Sequence, residues 1–327
     1  LGQGIDYAGT IRVVDIGIPP AFVDTVKSPV ALITAEEVRR LVPVRRPSSH
    51  KGTYGHAGII AGSVGKSGAA AMAAKAALRT GTGLVTVATP SSVNDILEGK
   101  VLEVMTVPMP ETKARTLARA SLDRLVTFIN ARTAVGIGPG LTTNPETVEL
   151  MHALIPKLEK PAVLDADALN ALAGRTAVLA ACTVMPILTP HPGEMARLDG
   201  EATPHTINAD RIGTATRFAK KRAVVLVLKG ARTVVAHPDG RVAICPTGNP
   251  GMATAGTGDV LTGMLVGLLA QGLDSWDAAR AGTYLHGLAG DLAAGDLGEA
   301  GLIAGDLIDR IPLALAQVRQ GSTPVRP

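Results

Sequence analysis

The chain has 327 residues, 46% of them apolar and only 2% aromatic, and carries a formal net charge of +4. That length suits one large α/β domain or two smaller ones, with small side chains supplying much of the packing. No dense Lys/Arg stripe interleaved with aromatics is present, which argues against nucleic acid as a partner, and no run reaches the roughly 18 apolar residues of a membrane span.

In chain order, residues 11–16 predict a strand, followed by Gly17-Ile18-Pro19-Pro20 and then by Pro29, Pro43 and Pro47. Residues 1–30 therefore read as a tail or linker, and residues 31–327 as the folded domain. Strands are expected at 57–63, 84–89, 101–107, 133–136, 162–165, 186–189 and 223–228. Helices are expected at 68–81, 114–130, 145–155, 168–173, from 193, and at 208–221. Asp239-Gly240 between two β-branched runs, 233–237 and 241–245, is a hairpin signal. From Asp259 the chain is mostly helical. Arg39, Arg40, Arg45 and Arg46 read as a solvated helix end. Cys182 and Cys245, far apart and in apolar runs, read as buried free thiols. No signal peptide is legible at Leu1, and a cytoplasmic enzyme is the simplest expectation.

Repeated strand–helix alternation implies an α/β fold with a mainly parallel sheet covered on both faces. Ligands of such sheets collect at the carboxyl ends of the strands. Gly138-Pro139-Gly140, Asp165 with Asp167, His191 and Lys229 follow four successive predicted strands, and should converge on one rim. Asp165 and Asp167 read either as ligand contacts or as helix caps.

Asn249-Pro250-Gly251-Met252-Ala253-Thr254-Ala255-Gly256-Thr257-Gly258-Asp259 runs into an apolar helix. Glycines let backbone N–H groups converge, and a helix start adds partial positive charge, so the segment suits phosphate. An acid beside that anion is unfavourable unless it acts. Asp259 can take a proton from a hydroxyl that attacks phosphorus. The plain alternative is a glycine-rich helix start with an aspartate in its first turn. Gly62-Ser63-Val64-Gly65-Lys66-Ser67 invites comparison with a phosphate loop, but Ile60 stands where that motif needs glycine, and the loop is two residues short. Gly68 and Ala69 can still meet a ligand there. In Thr189-Pro190-His191-Pro192-Gly193-Glu194, two prolines frame a histidine able to donate to a polar substrate; no second His or Cys is spaced to make it a metal ligand. Lys229-Gly230-Ala231-Arg232-Thr233 offers a cation, a glycine and a hydroxyl at a strand end, or else an ordinary turn. Gly263 and Gly267 read as a close helix contact.

Together with His50-Lys51-Gly52-Thr53-Tyr54-Gly55, Asp165-Ala166-Asp167-Ala168-Leu169-Asn170 and Gly301 through Leu307, these segments make the chain resemble the NAD(P)H-hydrate dehydratase family, a branch of the ribokinase-like superfamily. The ordered matches cover about residues 30–315. Residues 11–20, above all Val14 to Pro19, resemble the last strand of the epimerase domain that precedes the dehydratase in bifunctional members; the rest of that domain is not in this sequence, and no epimerase activity is expected. The resemblance implies a ribokinase-like fold and repair of the S form of hydrated NADH or NADPH (NADHX, NADPHX). Members use ADP, giving AMP and phosphate, or ATP, with Mg2+ bridging the phosphates. It implies that Asp259 is the catalytic base and that Ala69, Gly140, His191 and Asp259 line the hydrated cofactor. Lys229, Gly230, Ala231, Arg232, Thr233, Gly256, Thr257 and Gly258 would follow the nucleotide, and no metal-ligand set is legible. A homo-oligomer and a functional link to NAD(P)H-hydrate epimerase are expected. The nearest rival is a small-molecule kinase of the same superfamily, such as a hydroxymethylpyrimidine kinase; a second is an idle nucleotide-binding module.

Overall fold

Valine-, isoleucine- and leucine-rich runs form the strands, and the segments between them form helices, some alanine-rich as in Ser67–Arg79 and others amphipathic as in Leu122–Asn130. The computed structural model describes residues 4–8, 14, 16–23 and 25–321. Its strands are β1 (Val30–Leu32), β2 (His56–Ile60), β3 (Leu84–Pro90), β4 (Met105–Met109), β5 (Ala134–Ile137), β6 (Ala162–Leu164), β7 (Ile187–Leu188), β8 (Val225–Leu228), β9 (Val234–Ala236) and β10 (Val242–Ile244). They form one sheet in the order β1-β10-β9-β8-β7-β6-β5-β2-β3-β4. Only β9 runs against the rest, paired antiparallel to β8 and β10.

Side chains alternate across the sheet with the two-residue period of a strand. Ile59, Val87 and Val227 join the core beneath the helices Ser67–Arg79, Thr257–Ala270, Ser275–Leu297 and Ala304–Gln320. Ile60, Ala88, Ile137 and Leu226 join the core beneath Leu122–Asn130, Pro145–Leu154, Asp167–Leu172 and Arg211–Arg222. Both faces are thus covered, as the alternation requires. Close packing on the first face depends on glycine: a Cβ at Gly263 would overlap the Ala73 carbonyl, and one at Gly267 would come within 2.8 Å of Thr82 Oγ1.

Several expected elements change. The strand expected at 101–107 begins only at Met105, because a helix the sequence did not announce, Ser91–Glu98, ends in a turn at Gly99 whose Val101 N–H still bonds to Leu97. The helix expected at 114–130 begins at Leu122, after a single 3₁₀ turn. Residues 112–117 instead form a loop, in which the Thr112 hydroxyl accepts from Ala114 and Thr116 N–H groups and Arg115 adopts φ +59°. Asp210 splits the helix expected at 208–221, because its carboxylate caps Arg211–Arg222 through Gly213 N–H. The hairpin at Asp239-Gly240 forms, joining β9 to β10. β1, unforeseen, adds an edge strand parallel to β10. The strand expected at 11–16 lies mostly outside the described residues; Val14 and Ile16, which are described, belong to no strand. Cys245 is a buried free thiol, whereas Cys182 is only half-buried.

Candidate active site

The chain moves from β2 outward to β4, then returns to place β5 beside β2 and moves the other way. The carboxyl ends of β2 and β5 therefore form a switch point, where open α/β sheets bind ligands. The two loops there are tied together: Gly62 N–H donates to the Pro139 carbonyl at 2.8 Å and Ser63 Oγ donates to the Gly140 carbonyl at 2.7 Å. Gly138, at φ +134°, admits the Asp165 carbonyl, which a Cβ would overlap. A Cβ on Gly140 would stand 3.4 Å from that of Ala69, so two predicted site residues meet.

The next strand ends supply charge. Asp165, after β6, is buried and accepts from Lys229 Nζ and from Thr262 Oγ1, each at 2.7 Å. Lys229, after β8, also lies 3.7 Å from Glu194 Oε2. Burial would raise the Asp165 pKa, but the Lys229 ammonium and the hydrogen bonds overturn that and hold it below the usual carboxylate range. Lys229 is the mirror image: burial opposes its charge, and Asp165 and Glu194 raise its pKa. Asp167 points elsewhere, accepting from Thr142 N–H at 2.7 Å and Asn170 Nδ2 at 3.1 Å, with Lys66 Nζ at 3.5 Å. Ala166 between them adopts φ +49°, ψ −116°, a strained conformation for a residue with a Cβ and one that collects at functional sites.

His191 is held by more than its prolines. Its Nδ1 accepts the Gly193 and Glu194 N–H groups at 3.0 and 3.3 Å, and its own N–H donates to Glu194 Oε2 at 2.8 Å. Burial, then the Lys229 and Arg197 cations, lower its pKa against the pull of Glu194. The neutral ring thus carries its proton on Nε2, which lies 3.5 Å from Glu194 Oε1.

Gly256 adopts φ +92° and starts the Thr257–Ala270 helix. Thr257 Oγ1 donates to the Met252 and Thr254 carbonyls at 3.0 Å, curling the preceding segment over the helix start. Asp291 holds the head of that segment, accepting from Gly248 N–H and Asn249 Nδ2 at 3.0 Å. His286 Nε2 lies 2.9 Å from the Thr257 carbonyl; burial lowers its pKa to about 4, so the ring is neutral and donates. A Cβ on Gly258 would stand 3.4 Å from Lys229 Nζ and 3.9 Å from Asp165 Oδ2, which places the glycine over the ion pair. The rest of the Lys229–Thr233 turn serves its own shape. Arg211 supports Gly230 and donates to the Leu228 carbonyl at 2.8 Å, Arg232 donates to the Pro246 carbonyl, and Thr233 Oγ1 donates to the Gly230 carbonyl at 3.0 Å. Ala231 is exposed.

Asp259 follows Gly258. Among the described residues its carboxylate takes no hydrogen bond. Burial first, and then the negative charge of Asp165, raise its pKa to about 7; Lys229 offsets part of this, and Asp167 and Glu194 add to it. A carboxylate so tuned is half-ionised near neutral pH and suits general base catalysis. Sequence reasoning assigned no role to Thr262, Glu194, Asp291 or His286. Two of them leave a trace: Glu194 closes the His191 segment, and Thr262 stands one helical turn beyond Asp259. Among the described residues no three His, Cys, Asp or Glu side chains gather to hold a metal ion, so these side chains form no magnesium cage. No described helix is long and apolar enough to cross a membrane.

This arrangement, with a sheet switch point beside an acid at a glycine-led helix start, belongs to the ribokinase-like fold. A ribokinase-like superfamily protein from Enterococcus faecalis shares the fold, with a TM-score of 0.77 at 24% identity over 89% of this chain and 97% of its own. Within that class the chain belongs to the NAD(P)H-hydrate dehydratase family, whose family description matches residues 57–313. It is 49% identical to a bifunctional NAD(P)H-hydrate repair enzyme of Moorella thermoacetica, over 97% of this chain and 60% of that protein. It is 38% identical to the ADP-dependent (S)-NAD(P)H-hydrate dehydratase of Neisseria meningitidis, over 84% of this chain and 90% of that protein. The chain therefore spans about three-fifths of the bifunctional relative and most of the single-function one. The ADP/ATP-dependent NAD(P)H-hydrate dehydratase of Bacillus subtilis, co-crystallised with ATP/Mg2+, superposes with a TM-score of 0.78 at 33% identity, over 88% of this chain and 98% of its own. The small-molecule kinase alternative is not favoured: hydroxyethylthiazole kinase from Pyrococcus horikoshii shares the fold alone, with a TM-score of 0.57 at 18% identity.

Proposed function

We propose that this chain removes water from the S form of NADHX and NADPHX, driven by a nucleotide, with ADP favoured and AMP and phosphate released. The observation that carries this reading is the unbonded Asp259 carboxylate, with its pKa near 7, beside the Gly258 helix start and the Lys229 ammonium. Asp259 takes the proton of the hydroxyl on the hydrated ring. The oxygen attacks the terminal phosphorus, and the nucleotide leaves. Backbone N–H groups around Gly256, Thr257 and Gly258 stabilise charge on the transferred group. Phosphate then departs with electron push from the ring nitrogen, and loss of a proton from the adjacent carbon restores the dihydropyridine.

Ala69 and Gly140 form the small-residue wall of the hydrated-cofactor side, and His191 donates from Nε2 to a polar group of that substrate. Lys229 faces the nucleotide's phosphates, while Gly230, Ala231, Arg232 and Thr233 shape the turn beside it. Magnesium would come with the nucleotide and supply positive charge to its phosphates, since no cluster of three His, Cys, Asp or Glu among the described residues would hold it. Residues 31–327 form the dehydratase unit and residues 1–30 a linker resembling the end of an epimerase domain. We place the protein in the cytoplasm as a homo-oligomer working alongside NAD(P)H-hydrate epimerase.

Hydrated NADH, Mg2+ and either ADP or ATP, mixed with the protein, test this through the absorbance of reduced nicotinamide. Recovery that needs ADP, stops at the R form and disappears in Asp259→Asn is the expected result. A stable phosphorylated product without recovery would assign a kinase instead.

A further inference from the structure

We propose that Asp165 is the positioning residue of this site: it holds the Lys229 ammonium beneath Gly258, while Thr262 anchors its second oxygen from the helix that carries Asp259. The proposal rests on the reading above that the nucleotide meets Gly258 and that Asp259 is the base.

Both Asp165 oxygens are committed, one to Lys229 Nζ and one to Thr262 Oγ1, each at 2.7 Å. The side chains are 2% and 19% exposed for Asp165 and Lys229. A buried ion pair seldom stabilises a fold better than apolar residues of the same volume, so stability is a weak reason for this one. Its location supplies a stronger reason. The pair lies directly beneath Gly258, where a Cβ would stand in ordinary contact, 3.4 Å from Nζ and 3.9 Å from Asp165 Oδ2. Lysine is a point charge on a flexible four-carbon stem, and needs a fixed partner to stay in one place. Glu194 is a poorer anchor, at 3.7 Å, with the same Oε2 already accepting from His191 N–H. Asp165 thus decides where the cation stands.

Asp165 also sets the field at Asp259. The charges that act on Asp259 are Asp165 at the end of β6, Asp167 on the helix after it, Glu194 on the helix after β7, and Lys229 at the end of β8. Behind the turn, His286 is neutral. Removing the Asp165 charge relieves repulsion on Asp259, so the base ionises at lower pH. A residue that merely supported the fold would not do this selectively.

The experiment measures kcat, KM for ADP and the pH–rate profile in Asp165→Asn, Thr262→Val and Thr262→Ser, with thermal melts of each. Asp165→Asn should lower kcat by about tenfold or more through misplaced charge, raise KM for ADP, and move the acid limb to lower pH. Thr262→Val should lower kcat by about threefold with the limb nearly in place, and Thr262→Ser should restore it. Folded Asp165→Asn with the parent kcat and an unmoved limb would overturn the proposal. If Asp165→Asn does not fold, the threonine pair decides: equal activity in Thr262→Val and the parent overturns it as well. Asp259→Asn separates the two readings. Activity retained there defeats the base assignment itself, whereas activity lost there with Asp165→Asn unaffected defeats only the positioning role.

Discussion

Ser67-Gly68-Ala69 and Thr257-Gly258-Asp259 open two helices that pack together on one face of the sheet. Each follows a glycine-bearing loop, and neither has a side-chain cap at its first turn. Around Gly68 there is open space, and the nearby Lys66 is half-exposed, 3.5 Å from Asp167. Gly258 instead lies over a buried ammonium–carboxylate pair, and the next residue is an acid whose pKa burial raises to about 7. The two starts share a helix dipole and the lack of a side-chain cap. They differ in what lies behind them, and only the second has fixed buried charge with which to tune a base.

The sharpest way to test that contrast is at Asp259. Asp259→Asn should lower kcat by about 10²- to 10⁴-fold while ADP affinity, measured by calorimetry, persists. The parent rate should rise with pH through about 7, as the carboxylate ionises. Stability should respond in the opposite sense. The folded pKa lies above the unfolded value of 3.8, so the native state holds the extra proton, and stability falls as pH rises from about 4 to about 7. Asp259→Asn should therefore raise Tm more at pH 8 than at pH 4, and an equal change at both would break the assignment.

The packing between the two helices comes next. Gly263→Ala should cost about 3 kcal/mol or more in denaturant unfolding, since its Cβ would overlap the backbone carbonyl of Ala73. A matched pair then compares the two starts directly. Gly258→Ala meets Lys229 Nζ at an ordinary 3.4 Å and has no positive φ, so it should fold as the parent does. It should nevertheless weaken ADP binding by about tenfold, or roughly 1.4 kcal/mol, by closing the approach to the helix start. Gly68→Ala, placed identically in its own helix, should leave ADP affinity unchanged. Equal loss in both would show that any glycine near a helix start serves. The smallest effect belongs to Lys66→Ala, which should change stability by less than about 1 kcal/mol, and less still at high salt, as expected of a half-exposed ion pair.

The elements legible in the sequence were those with a local cause. Valine- and leucine-rich runs such as Val225–Leu228 and Ala134–Ile137 announce buried strands, and the turn residues Asp239-Gly240 announce a hairpin. The convergence of Gly140, Asp165, His191 and Lys229 followed from strand order and the rule that ligands bind at carboxyl ends. Residues 114–117 read as the start of a helix but belong to the 112–117 loop, because its deciding features are a threonine hydroxyl's bonds and a positive φ at Arg115, neither of which alters hydrophobic periodicity. Asp165 was ambiguous for a related reason: carboxylates after strands serve as caps, ligands or ion-pair partners alike.

From residues alone, the chain determined its parallel sheet, its glycine-led helix start and the acid at position 259. These depend on propensity, periodicity and backbone freedom, which act over a few neighbouring residues. Tertiary structure alone decided that Lys229 pairs with Asp165 across 64 positions and that Thr262 reaches the same carboxylate across 97. It also decided that Asp291 holds the lead-in from 42 positions away. Charge is felt through space and strengthened by burial, so the state of Asp259 became defined only when the ends of β6, β7 and β8 were brought around it.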